Sequence, residues 1–177
     1  PGTDEQLLIA TTDDGMELGL YLDASVLERL GRRCPLVALD ESNLGDYCTA
    51  LEGVSHFHYV TWSAGRDRCV SLLELELQAE VDKYVATLSL LRRQTPEHFP
   101  RELHSILFDR TYVDPRLPGE RAALYRRASA YAARFCRRIE GRLKRPAEEI
   151  ARDMAAELRR FYRLTESRKL AHIDRCA

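Results

Sequence analysis

The chain has 177 residues, of which 45% are hydrophobic and 31% charged, with a net charge of −1. This balance excludes a disordered or fibrous polymer and fits one globular domain, or one domain carrying a helical extension. No run approaches the roughly 20 apolar residues that a membrane-spanning helix needs.

The opening residues, Pro1-Gly2-Thr3-Asp4-Glu5, contain neither a basic region nor an apolar signal core. The five cysteines (Cys34, Cys48, Cys69, Cys136, Cys176) are odd in number and lack Cys-x-x-Cys spacing. They argue against a disulfide scaffold or zinc ribbon and for a reducing compartment. A cytoplasmic location follows, and 24 Arg against 3 Lys suits a GC-rich bacterial genome. Charge is unevenly spread: residues 1–90 hold 16 acidic and 6 basic side chains, residues 91–177 hold 12 and 21. Such asymmetry lets the two halves, or two subunits, attract each other, or offers a basic surface to an anionic partner.

In chain order, Gln6 to Thr11 and Met16 to Leu22 read as the strands of a hairpin. The turn Thr12-Asp13-Asp14-Gly15 closes it, because Asp-Gly accepts the positive φ of a tight turn. A short helix follows, with Ser25 and Glu28 at capping-box spacing and Gly31 at its end. Leu36 to Leu39 reads as a short buried strand, and Ser42 to Leu51 as a helix closed near Gly53. Val54 to Ser63 is rich in β-branched and aromatic residues and reads as an interior strand. On a strand His56 and His58 share a face. From Val70 the period becomes helical, with Leu73, Leu77, Val81, Tyr84, Val85, Leu88 and Leu91 on one face and Ser71–Glu74 at capping-box spacing. Glu76, Ala79, Glu80, Asp82 and Lys83 form the opposite, solvated face.

His98 to Asp109 is a helix beginning near Pro100. Two prolines in Tyr112–Gly119 break any regular element and mark a linker. Glu120 to Leu143 is helical, with Leu124, Ala128, Tyr131, Phe135, Ile139 and Leu143 on one face and an arginine stripe on another. Pro146 opens a further helix, whose apolar face is Ile150, Met154, Leu158 and Phe161.

The expected fold is α+β: a small, mostly antiparallel or mixed N-terminal sheet of about four strands packed with helices, followed by a helical half ending in a long helical hairpin. The expected organisation is an α+β domain over 1–111, a linker over 112–119 and a helical hairpin over 120–177, packing on the same core or on a second subunit.

Two groups of residues carry chemistry. Glu52, His56, His58 and Glu74 are the candidate catalytic residues. His56, His58 and Glu74 are the candidate metal ligands, since imidazole and carboxylate suit divalent metals and proton transfer. Glu74 is better explained as a capping carboxylate favoured by the helix dipole, and the histidines as hydrogen-bonded structural residues. Arg127, Arg134 and Arg138 are candidate polyanion ligands, because Arg binds phosphate bidentately. Tyr131 and Phe135 fall on the core face rather than among these arginines, which disfavours nucleic acid. No glycine-rich phosphate loop, nucleophile elbow or dinucleotide fingerprint is present. The sequence requires no cofactor; a divalent metal is what the His/Glu group would take. The expectation is therefore a non-enzymatic protein-interaction or regulatory module with a protein partner or a second copy of itself. The alternatives are a hydrolase-like metal or acid–base enzyme, then a nucleic-acid binder.

Overall fold

The computed structural model describes residues 3–13, 15–96, 99–109, 117–143 and 147–175, the helical stretch 141–152 by its backbone alone. Asp14 of the hairpin turn, His98, residues 112–116 of the expected linker, the Arg145–Pro146 joint and Cys176 lie outside them, as do the side chains of Leu143 and Ile150. Among the described residues the order is β1 (Glu5–Thr12), β2 (Gly15–Leu22), α1 (Ala24–Arg32), α2 (Leu44–Ala64), α3 (Leu72–Gln94), α4 (Leu103–Phe108), α5 (Gly119–Leu143), α6 (Ala147–Tyr162) and α7 (Glu166–Asp174). The protein is α+β and mostly helical. No described helix is long and apolar enough to cross a membrane.

The chain divides into two compact units, Pro1–Cys69 with Val85–Pro100, and Val70–Tyr84 with Arg101–Ala177. In the first, β1 and β2 pair antiparallel in one unbroken register, from Glu5 opposite Leu22 to Thr12 opposite Gly15. Gly15 adopts the positive φ (144°) that the turn demands. The chain then enters α1, whose N-cap is Asp23, one residue before the helix, rather than Ser25. Its Oδ1 accepts the Ser25 backbone N–H at 2.8 Å.

The sheet has two strands among the described residues, not about four. Residues 54–63 are the second half of the 21-residue α2. Its buried positions, Gly53, Ser55, His56, Tyr59 and Ser63, recur at helical spacing. Most of them are small or polar, while Val54 and His58 point to solvent. The apolar pattern alone therefore resembles a strand, because the packed face is lined by what is small rather than by what is greasy. Gly53 is no terminator. A Cβ there would meet Glu5 Cγ and Leu20 Cδ1 at 2.7 Å each, so its missing side chain lets the hairpin lie against α2.

Leu36–Leu39 is also not a strand. Cys34 O accepts the N–H groups of Val37 and Ala38, forming a turn. Two side-chain amides pin the rest. Gln94 accepts Leu39 N–H at 3.0 Å and donates to Pro35 O at 2.8 Å. Asn43 donates to Ala38 O and Arg33 O and accepts Asp40 N–H. Side-chain amides thus do the work a neighbouring strand would do.

The second unit is helical. Its core contains Leu73, Leu77, Val81, Tyr84, Leu103, Ala128, Ala132, Phe135, Cys136, Ile139, Phe161 and Ile173, all buried. Phe135 of α5 and Phe161 of α6 stack with ring centroids 3.9 Å apart, both fully buried. The expected polar face of α3 is not solvated: Glu76 is 5% and Ala79 1% exposed, and Gln78 is 2% exposed. Partners along the helix make this tolerable, with Gln78 donating to Asp82 at 2.8 Å and Lys83 to Glu80 at 2.7 Å. A further helix, α7, follows α6 after a short turn, beyond the hairpin of two helices that the sequence suggests.

Candidate functional site

In the first unit, α2 places Glu52 and His56 one helical turn apart on its packed side. Their ligand atoms approach within 4.8 Å. His56 is 5% exposed. Its Nδ1 lies 3.4 Å from Glu5 Oε1 on β1, which brings a second carboxylate to the imidazole. That approach depends on Gly53. The resulting arrangement has one buried imidazole, a carboxylate against its Nδ1 and another one turn earlier on its own helix. A carboxylate on one ring nitrogen fixes the tautomer and orientation of a histidine that uses the other as a ligand or base. His58 is exposed; two residues along a helix it lies about 200° from His56, and its ring meets Phe57 edge-on.

Glu74 belongs to the second unit, as a buried residue at the start of α3. Its backbone N–H donates to Ser71 Oγ at 3.1 Å, as the capping reading requires. Its carboxylate does not complete a capping box. Oε2 accepts the Glu166 backbone N–H at 3.0 Å, at the N-terminus of α7, and Ser71 Oγ donates to the Glu166 carboxylate. Glu74 therefore supports the first turns of two helices.

The arginine stripe is largely engaged inside this unit. Arg138 donates to Glu157 Oε1 at 2.8 Å, and Glu157 also accepts from His172 Nε2 at 2.6 Å. The three side chains clamp α5, α6 and α7 together. Arg134 pairs with Asp174 at 3.0 Å. Tyr131 lies between Arg127 and Arg134, with their guanidinium carbons 5.9 and 4.3 Å from its ring centre. The Arg–aromatic interleaving expected only in the sequence thus also exists in space, while Phe135 is sealed in the core beneath Arg138.

Several functional-looking groups escape a sequence reading. Glu5 carries no pattern signal, because its role depends on a helix some 50 residues away. Lys169 is fully buried, donates to Gln78 Oε1 and lies 4.5 Å from the Phe161 ring centre. His104 is buried beside Tyr84 and Phe108. Its Nε2 lies 2.9 Å from Ala133 O and its Nδ1 3.0 Å from the Arg137 guanidinium; together these partners hold the ring in one orientation, with Nε2 as donor and Nδ1 as acceptor.

The remaining conspicuous surface is apolar. Leu8 is 50% and Ile9 54% exposed on β1, and Leu36 and Val37 stand out on their pinned turn. Comparison with protein-family models, curated proteins and solved structures finds no match for the chain.

Proposed function

We propose that the chain is a non-enzymatic protein-interaction module whose docking element is the free edge of β1. The observation that carries this reading is the edge itself. Eight residues, Glu5–Thr12, run without a bulge beside β2 and pair with no other strand among the described residues. The edge contains no Lys and no Pro, the residues with which proteins ordinarily blunt a free strand. The partner is an extended, weakly charged segment that joins as a third strand by β-augmentation. Glu5 is the only charged side chain it must pass.

The test is amide hydrogen exchange in dilute solution with a short probe peptide of alternating Val and Thr. Leu7, Ile9 and Thr11 N–H groups gain protection, and Ile9→Pro, which removes one outward donor while sparing the bonds to β2, abolishes the gain. Unchanged exchange at saturating peptide overturns the reading.

A second reading rests on a different observation, the placing of Glu5 and Glu52 about His56. It makes Glu52 and His56 ligands of a divalent metal or a proton-transfer pair, with Glu5 as the orienting carboxylate. Plasma mass spectrometry of the untagged protein decides it. Near-stoichiometric metal, lost in both His56→Ala and Glu52→Gln, supports the enzyme. Absence of metal after growth and dialysis in zinc, manganese and iron removes the metal form.

A further inference from the structure

Which extended segment fits the β1 edge is answered by the strand. Antiparallel pairing alternates: every second residue bonds its neighbour and the residues between point outward. The bond from Asp23 N–H to Asp4 O at 2.9 Å sets the phase. Gln6, Leu8 and Ala10 therefore direct their backbone groups to β2, whereas Glu5, Leu7, Ile9 and Thr11 direct theirs to the open edge. The side chains alternate as well. Glu5 meets His56, so Glu5, Leu7 and Ile9 face α2, while Gln6, Leu8 and Ala10 face away from it.

Resting on the proposed edge docking, we infer that the segment is β1 of a second copy of this chain, paired antiparallel about a twofold axis through Leu8. In that register Leu8 lies opposite Leu8, Leu7 opposite Ile9, Gln6 opposite Ala10, and Glu5 opposite Thr11. The outward N–H and C=O groups of Glu5, Leu7, Ile9 and Thr11 all find partners, the Glu5 C=O accepting the incoming N–H beside the Thr3 hydroxyl that already donates to it at 2.7 Å. The two large exposed residues of the strand, Leu8 and Ile9, both become covered cross-strand pairs. The charge pattern agrees, because the one charged residue of each strand meets a threonine and no like charges oppose. A twofold interface demands such self-complementarity. The outer edge of β2 is a poorer candidate: it carries Gly15 and Gly19, which offer no side chain to a neighbour, and its later residues are already partly covered.

The register predicts a specific cross-link. Leu8 pairs with its own copy at a site that is not hydrogen-bonded, where Cβ atoms approach within disulfide range. In a chain with Cys34, Cys69 and Cys176 replaced by Ser, Leu8→Cys forms a covalent dimer on mild oxidation. Gln6→Cys and Ala10→Cys each fail alone and cross-link only when mixed. Light scattering of the unmodified chain gives twice the mass of one chain, and Leu8→Lys returns it to one. A dimer that survives Leu8→Lys and refuses these cross-links places the interface elsewhere and overturns the proposal. A monomer at every concentration also overturns it. If the probe peptide still protects Leu7 and Ile9 in that monomer, only the second copy is lost; if it does not, edge docking falls too.

Discussion

The two units deal with polar and apolar groups in opposite ways. The second buries charge and pairs it: Glu157 accepts from both Arg138 and His172, and Lys169 is enclosed with Gln78 and Phe161. The first leaves apolar side chains in water, with Leu8, Ile9, Leu36 and Val37 at least half exposed. It also leaves the outer edge of β1 without a paired strand among the described residues. Buried, paired polar groups act as structural fasteners. Rigidly presented apolar groups and unpaired backbone mark a surface that takes a partner. The contrast sets a fastened interior in one unit beside the exposed strand on which the docking proposal rests in the other.

The sharpest way to break that contrast is to attack the fastened core. Phe161→Ala removes a fully buried ring stacked on Phe135 and costs about 3–5 kcal/mol of stability in denaturant titration. A loss below about 1 kcal/mol means that the aromatic stack is not the core of the unit. Arg138→Ala leaves Glu157 and His172 without their guanidinium. It costs about 3 kcal/mol, and a double-mutant cycle with Glu157→Gln recovers a coupling above about 1 kcal/mol. Additive effects remove the clamp.

In the first unit the effects are smaller. Gly53→Val forces Glu5 and Leu20 away from α2 and costs about 1–3 kcal/mol. In Gly53→Ala the strain is partly offset by a helix-propensity gain of about 1 kcal/mol. Equal stability of the Val and Ala variants contradicts the close approach. Gln94→Ala frees Leu39 N–H and Pro35 O and costs about 1–2 kcal/mol. It also raises proteolytic nicking near Leu36, whereas an unchanged nicking rate means that the turn is held by other contacts.

The gentlest probe is pH. Burial, reinforced by Glu140, raises the Tyr84 phenol well above its ordinary value of 10, and burial raises the Cys136 thiol well above 9. Both groups keep their protons in the fold where the unfolded chain would release them. Their contribution is complete below about pH 9 and declines as pH rises beyond it. Alkaline titration of Tyr84→Phe shows a shallower decline than the parent, and identical profiles exclude Tyr84 as a source. At neutral pH Cys34 and Cys69, both exposed, react with a thiol reagent at once, while Cys136 waits for unfolding.

At the acid end, hydrogen bonding from Arg29 lowers Asp46 below the usual carboxylate value. Its contribution is present above about pH 4 and fades as pH falls through the folded value. Asp46→Asn removes that portion of the acid limb, by an amount kept small because Arg29 is half exposed.

Much of the architecture was legible where local rules decide alone. The hairpin follows from alternating residues about Asp-Gly, and β1 and β2 match it within a residue. The length and bounds of α5, and the capping of α3 by Ser71, follow from periodicity and side-chain reach. These features depend on neighbours three or four residues away, so the order of residues is sufficient to determine them. Only the second half of α2 resembles a strand in sequence, because its packed face is mostly small and polar, and the hairpin lying on Gly53 is a contact that no local pattern announces. Glu5 joining His56, the burial of Lys169, and Glu157 meeting Arg138 and His172 rest on contacts between residues 15 to 91 apart. No periodicity links such residues, since the energy that pairs them arises only when tertiary packing excludes water around both.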